Sequence, residues 1–554
     1  MARNFDVIVV GAGINGLACG AYLAKAGLEV AVVEARNECG PFALTEEIFG
    51  GGVPIDTHAG VCFVTMSPAL GELELDRFGL DLILPRVPTG TVSKDGTNVL
   101  YYTDLDRTCA EIARFSERDA KAYRRLRESV MKNAVEMLER GVFSAPSAEG
   151  LEYLWSLGKL VGFSPEDFRT MNGFELLDLL FENEKVKCSL LGQAAIGIFG
   201  DPAEKGEGSL MTVLGQTSSF GVPRGGMHNL VHALVRCFRH YGGTLLLNAP
   251  VERVEFEGGR PSLVHLAEHS PIPEKTLRSR QATVIHVSPP VALQILDSEE
   301  LERHDPNLLR KMKDWDMTGH CAFTSYVLLK GAAQWSSRTW NPDIQECAFP
   351  LRAWDSWDHA KSSFQTAKNE EIFGVAGDVG EIYHLSSVDP SRVPADGRTA
   401  LVYEVEYPVN MRRYGGLSAW DDREITDRLH ESHLQDLRDM LDDFDAELID
   451  STYFTPIDNW RRNPSAILGH ELGGDVSGPQ WYEGRMPNRS SIEGLYFTQG
   501  VWPCSLTHLG SAYVTACAIA DDLGVRDQAW WKNRPMQRYM ELMREGSMNV
   551  EVTP

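Results

Sequence analysis

Residues 5–34, FDVIVVGAGINGLACGAYLAKAGLEVAVVE, decide the fold. Phe5 to Val10 is a short β-branched apolar run, the pattern of a strand buried on both faces. It leads directly into Gly11-Ala12-Gly13-Ile14-Asn15-Gly16, a G-x-G-x-x-G. Leu17 to Ala26 reads as an Ala- and Leu-rich helix closed by Gly27, and Leu28 to Val33 as a second strand ending at Glu34. Gly11 permits the tight turn out of the strand. Gly13 lets the backbone approach a diphosphate, and Gly16 lets helix and strand pack closely. The helix N-terminus then points free N–H groups at the phosphates. The Glu34 carboxylate is placed to accept ribose hydroxyls, and it would repel a 2′-phosphate, which disfavours NADP. Strand, glycine turn, helix and acid together make a dinucleotide site, whereas the glycines alone would not.

The rest of the chain supports a large folded protein. Its 554 residues are 43% apolar and 24% charged, material for roughly three or four domain-sized units. The 53 Lys and Arg against 78 Asp and Glu leave a net charge of −25. That balance and the lack of a long basic run argue against a nucleic-acid partner and against docking on anionic lipid. Ten cysteines contain no C-x-x-C pair and read as reduced, buried thiols. Val7 to Ala24 and Gly494 to Ala520 carry no charged side chain, but their glycines and polar residues suit buried strand–turn–helix units. The expectation is a cytoplasmic protein with no integral membrane segment. No pattern sets an oligomeric state.

The flanking motifs choose the dinucleotide. Cys39-Gly40-Pro41-Phe42-Ala43-Leu44-Thr45-Glu46-Glu47 and Val53-Pro54-Ile55-Asp56-Thr57-His58-Ala59-Gly60 follow the second strand. Val222-Pro223-Arg224-Gly225-Gly226-Met227 opens a helix to Tyr241, followed by Gly242 to Asn248, Val251-Glu252-Arg253-Val254 and the strand-like Ala282 to Ser288. Near the end, Leu495 to Gly500 reads as a strand, Val501 to Gly510 as a loop and Ser511 to Leu523 as a helix. Together these segments resemble the phytoene desaturase-like FAD oxidoreductases, relatives of the amine oxidases that include carotenoid desaturases and isomerases. Pro41 stands where that family usually has a second glycine, and the loop before the last helix lacks the family's denser glycines. There is no second G-x-G-x-x-G and so no signal for a built-in NAD(P)H site.

The resemblance implies an α/β architecture. A Rossmann-like FAD-binding domain of the glutathione reductase and amine oxidase type would comprise residues 1–75, 215–300 and 490–525. Two insertions, 76–214 and 301–489, would form an α+β substrate domain, with 526–554 as a C-terminal tail. It further implies that Gly11, Gly13, Ile14, Asn15, Gly16, Glu34, Ala35, Val251, Gly500 and Ser511 hold FAD. Within the insertions, Cys109 to Arg140, Gly173 to Ile198 and Ile425 to Phe444 have helical spacing, and Ala322 to Leu329 and Ala400 to Tyr407 read as strands.

For chemistry, His508 lies in the loop where the family places residues over the flavin and is a candidate proton carrier. His58 would sit at the other rim, and Tyr513 is a candidate for the same pocket. Trp335, Trp340, Trp354, Trp357, Trp420, Trp460, Trp481, Tyr482 and Trp502 all follow residue 330. Core packing accounts for each one singly, while together they point to an apolar or aromatic small-molecule substrate. His430 and His433 are three apart on a helix but lack further ligands, so no metal is expected. Arg352, Arg461 and Arg462 read as ion-pair residues, and the Asn488-Arg489-Ser490 sequon as chance. The leading reading is an FAD-dependent dehydrogenase or desaturase acting on C–C or C=C bonds, passing electrons to oxygen, a quinone or another acceptor. The alternative is a reduced-FAD-dependent isomerase or hydratase without net redox. A third, from another class, is a prenyl-binding chaperone that keeps the fold without flavin; the intact glycines and Glu34 argue against it.

Overall fold

In the computed structural model, which describes residues 3–195, 200–368, 372 and 380–545, β1 (Arg3–Val10) runs through the middle of a seven-stranded sheet. It pairs in parallel with β2 (Val30–Val33) on one side and with Thr276–Ile285 on the other. Thr244–Leu246 extends the sheet in parallel beyond β2, and Leu495–Phe497 adds in parallel to Thr276–Ile285. Val251–Glu257, Arg260–Leu266 and Thr276–Ile285 form an antiparallel meander at the other side. The unbroken β-branched run has a packing reason. Val7 and Val9 face one core, while Phe5, Ile8 and Val10 face another. A strand buried on both faces has no solvent side for polar residues to alternate onto. On the first face, α1 (Ile14–Lys25) packs between the helices His228–His240 and Gly510–Asp522. The two ends of the chain and its middle thus meet at one helix.

A second seven-stranded sheet runs in the order Leu448–Phe454, His320–Leu329, Thr399–Pro408, Gly380–Tyr383, Cys347–Arg352, Val87–Val92, Asn98–Tyr101. Its strands come from both insertions, joined where Val87–Val92 lies parallel to Cys347–Arg352. The turn Asp56–Gly60 links the two sheets. Tyr326 Oη donates to the Thr57 carbonyl, and the Tyr383 ring lies flat on Gly60, where a Cβ would come within 2.5 Å of it. The buried Arg392 guanidinium donates to Asp56 Oδ2 at 2.8 Å, while Asp56 Oδ1 accepts from Met227 N at 2.9 Å.

Three expected helices are differently bounded. Cys109 to Arg140 is two helices, Leu105–Ala113 and Glu117–Gly141, because Ser116 Oγ accepts from Asp119 N and starts a new one. Gly173 to Ile198 is likewise Gly173–Leu180 and Glu184–Ala195, with Ile198 outside the described residues. In the break, the Asp119 carboxylate accepts from Glu182 N and Asn183 N. Ile425 to Phe444 ends at Met440, although Leu429, Leu437, Leu441 and Phe444 still share one core. Residues 526–545, within the expected C-terminal tail, pack back on the first core. Trp530 and Trp531 stack on Tyr22, and Glu72 accepts from the Lys532 and Asn533 amides. All ten cysteines are free thiols.

Candidate active site

The glycine-rich turn is a cradle with no room for side chains. Gly11 has a φ of +106° and donates to the Val33 carbonyl at 2.8 Å. A Cβ on Gly13 would lie 2.6 Å from His286 Nε2, and one on Gly16 would lie 2.2 Å from the Gly11 carbonyl oxygen. Gly13 is the N-cap of α1 and offers no side-chain cap, and the first turn carries no acidic side chain. The leading N–H groups and the positive end of the helix dipole are therefore left for an anion. Glu34 is placed by two backbone donors, Ala12 N to Oε2 at 2.8 Å and Arg36 N to Oε1 at 2.9 Å. Burial raises its pKa despite these bonds.

Gly11, Gly13, Ile14, Asn15, Glu34, Ala35 and Val251 all line one cavity. The same cavity reaches the second sheet. There its walls include Phe42, His58, Phe63 and Tyr383, the carboxylates of Glu404 and Glu471, and Thr507. Glu404 is 8% exposed and accepts from Thr324 Oγ1 at 2.7 Å and Tyr383 Oη at 2.9 Å. Burial raises its pKa, and burial with the charge of Glu404 pushes Glu471 up to about 8. The His58 ring lies edge-on to Phe42, 4.8 Å between centroids, and burial with the nearby Arg462 and Arg36 charges lowers its pKa to about 3. This is a neutral imidazole at ordinary pH.

A family profile described as "Flavin containing amine oxidoreductase" matches residues 14–324, more than half of the chain. The chain belongs to that family. A limonene dehydrogenase polypeptide of Castellaniella defragrans is 26% identical over 550 residues, 96% of each chain. Hydroxyneurosporene desaturase of Cereibacter sphaeroides is 30% identical over 275 residues, 48% of this chain and 54% of the desaturase. Among solved structures, cyclohexylamine oxidase from Brevibacterium oxydans aligns with a TM-score of 0.54 at 18% identity, covering 94% of this chain and 99% of the oxidase. At that identity the likeness is one of fold.

This member of the amine oxidoreductases is thus an FAD-dependent enzyme with a Rossmann-like cofactor domain and an α+β second domain. The residues fit the group, since the uncapped start of α1 and the bare backbone of Gly13 face the cavity. Asn15 does more than line it. Its Nδ2 donates to the Leu506 carbonyl, and its Oδ1 accepts from Ser511 Oγ at 2.9 Å, stitching the first helix to the last. Gly16 acts through close packing, and Ser511 through Asn15, rather than as cavity walls. Gly500 faces Trp315 and Met486, and its neighbour Gln499 takes the lining position.

The chemical candidates divide. His58 lines the cavity. His508 is 2% exposed and turns toward Phe143, with Nδ1 accepting from Gly510 N at 2.9 Å. Burial lowers its pKa to about 4. Tyr513 packs on Tyr22 and Phe143, and its hydroxyl accepts from Arg526. These two side chains are core, not cavity wall. The same correction holds for the aromatic set: no tryptophan lines the cavity, whose aromatic walls are Phe42, Phe63 and Tyr383. His430 and His433 both bond Ser325 Oγ at 2.9 Å. Arg352 pairs with Asp436, Arg461 with Asp421 and Asp458, and Arg462 with Glu46. Asn488 is buried on Thr515.

His286, Tyr383, Glu404 and Glu471 also line the cavity, and none was expected there from the sequence. His286 lines the cavity beneath the glycine turn, with Nδ1 2.8 Å from Thr498 Oγ1. Glu404 had a readable signal. In Thr399–Pro408 it alternates with Tyr403 and Val405, so a carboxylate occupies a strand position that a solvent-facing side chain or a site must explain. Glu471 lies in an irregular loop with no such pattern.

Proposed function

We propose that this oxidoreductase dehydrogenates an apolar or unsaturated small molecule at a carbon–carbon bond. The observation that carries the reading is the single cavity, walled at one end by the glycine cradle of the first sheet and at the other by the second sheet. When bound, FAD supplies a two-electron hydride acceptor. The chain holds the diphosphate at α1, the ribose side at Glu34 and Val251, and the reacting end against the turn Asp56–Gly60. Phe42, Val61 and Phe63 give that end apolar walls, which exclude water and suit a hydrocarbon. The limonene and hydroxyneurosporene in the names of the two relatives support the same substrate class. The free thiols suit a reducing compartment, and we place the protein in the cytoplasm; among the described residues, no helix is long and apolar enough to cross a membrane.

The test is an anaerobic screen of terpenes, carotenoids and amines against the FAD-loaded protein. Terpenes or carotenoids are expected to bleach the oxidised flavin. Bleaching by amines alone would overturn the substrate class. Turnover that needs reduced flavin but consumes no reductant would instead support the isomerase or hydratase reading.

A further inference from the structure

We propose that the Glu404–Glu471 carboxyl pair is the proton acceptor of this site, with Tyr383 and Thr324 as its positioning residues. The proposal rests on the dehydrogenase reading above. Its first support is placement. Glu404, on a strand of the second sheet, and Glu471 both line the cavity that the glycine turn and Glu34 of the first sheet also line. Tyr383, whose hydroxyl donates to Glu404, packs its ring on Gly60 of the turn that also carries His58. Glu404 is therefore fastened to the turn against which the reacting end is proposed to lie.

The second support is that a sheet built only for stability would not place a carboxylate at this position. Glu404 is 8% exposed on the strand Thr399–Pro408, and a buried carboxylate is costly unless it is hydrogen-bonded or takes up a proton. Burial raises both carboxyls, and beside Glu404 it takes Glu471 up to about 8, while the two O–H donors oppose the rise at Glu404 and so favour it as the acceptor. The pair titrates as a unit. Other titratable groups facing it are Tyr326 from His320–Leu329, Tyr383 and Glu381 from Gly380–Tyr383, Glu406, and Cys321, with Arg462 and Glu46 acting through Tyr326.

The third support is independent of the acids. His470, next to Glu471, lines the cavity, is 3% exposed, and has no hydrogen-bond partner for either ring nitrogen among the described residues. His58 Nε2, which lines the same cavity, also lacks one among them. Two buried imidazoles with unpaired nitrogens in one cavity mark a space that a bound molecule would complete.

The step balances. The substrate loses two electrons and two hydrogens. One hydrogen leaves as hydride to oxidised FAD, the other as a proton to the Glu404 carboxylate, and the carbon–carbon single bond becomes double. Tyr383 holds Glu404 Oε1 and Thr324 holds Oε2, which fixes the carboxylate plane, and the Glu471 carboxyl modulates its charge electrostatically.

The experiment uses the FAD-loaded protein, photoreduced anaerobically with EDTA as electron donor and followed by infrared difference spectroscopy in H2O and D2O. Reduction of bound flavin would add negative charge to the cavity that both carboxyls line, so wild type is expected to gain a deuterium-sensitive carbonyl band of a protonated carboxyl. Glu404→Gln is expected to lose that band, Glu471→Gln to lose or displace it, and Glu404→Asp to restore it. The oxidised-flavin spectrum of each variant confirms that it is folded and loaded. A band that persists unchanged in both Gln variants, or no band in loaded wild type, overturns the proposal. With a compound that bleaches the wild-type flavin, Glu404→Gln should slow bleaching at least about tenfold with little change in KM. Equal bleaching rates would overturn the proposal too. A chain that takes up no FAD shows no flavin absorbance and overturns the functional reading itself.

Discussion

Gly16→Ala tests the cofactor cradle with a single methyl group. A Cβ there would lie 2.2 Å from the Gly11 carbonyl oxygen and 2.8 Å from His286 Cδ2. An ordinary carbon–oxygen contact begins near about 3.3 Å, so roughly 1.1 Å of space must open. Gly11 cannot yield it, because its N–H is bonded to Val33 and the next residue is tied through Ala12 N to Glu34 and through Ala12 O to Gly40 N. The start of α1 must move instead, carrying its free N–H groups off the diphosphate. Overpacking of this kind costs about 1–3 kcal/mol of folding stability. Losing one hydrogen bond to a charged phosphate costs about 1.5–3 kcal/mol, so FAD should bind roughly 10- to 150-fold more weakly. Titrating the apo-protein with FAD and following flavin fluorescence measures the second effect, and urea unfolding of the apo-protein measures the first. A folded Gly16→Ala protein with wild-type FAD affinity would refute the cradle.

Three further outcomes are expected. Arg392→Met strands the Asp56 carboxylate, which is 0% exposed, and should destabilise the fold by about 3–5 kcal/mol in urea unfolding; a loss under about 1 kcal/mol would show the pair is not what joins the sheets. Burial, with the Glu204 and Asp201 charges, raises the Glu207 carboxyl from 4.5 to about 8, so the folded chain keeps a proton there that the unfolded chain has lost. Stability should therefore fall as pH rises through that window. Glu207→Gln should flatten the fall, and unfolding midpoints at both ends of the window that match wild type would count against it. His508→Ala should leave flavin bleaching within about twofold of wild type, where a true proton carrier would cost about a hundredfold or more; a slowing of that size would return His508 to the mechanism.

The glycine-turn end of the cavity was legible because it is local. A strand, a glycine turn and a helix start are contiguous in residues 5–25, and their roles follow from backbone geometry that only glycine permits. Val251 and Ala35 were legible for a similar reason, since they lie at or just beyond strand ends that carry recognisable patterns. The reacting end was not. His508 and Tyr513 flank a motif, but a motif does not say which way a side chain points, and both rings turn into the core around Phe143. The tryptophans misled for the same reason, since large aromatics satisfy a core as readily as a pocket.

The sequence by itself determined the α/β class, the dinucleotide turn, the acid at Glu34 and the insertion of a second domain, because each depends on the spacing of neighbouring residues. Only the tertiary structure decided which groups face the reacting space. Glu404, Tyr383 and Thr324 come from three strands, and Glu471 from a loop nearly seventy residues beyond Glu404. Their meeting depends on strand register, on the packing of Tyr383 over Gly60 and on the Asp56–Arg392 ion pair. Those are long-range contacts, set by how two sheets close on one cavity, and no local pattern encodes them.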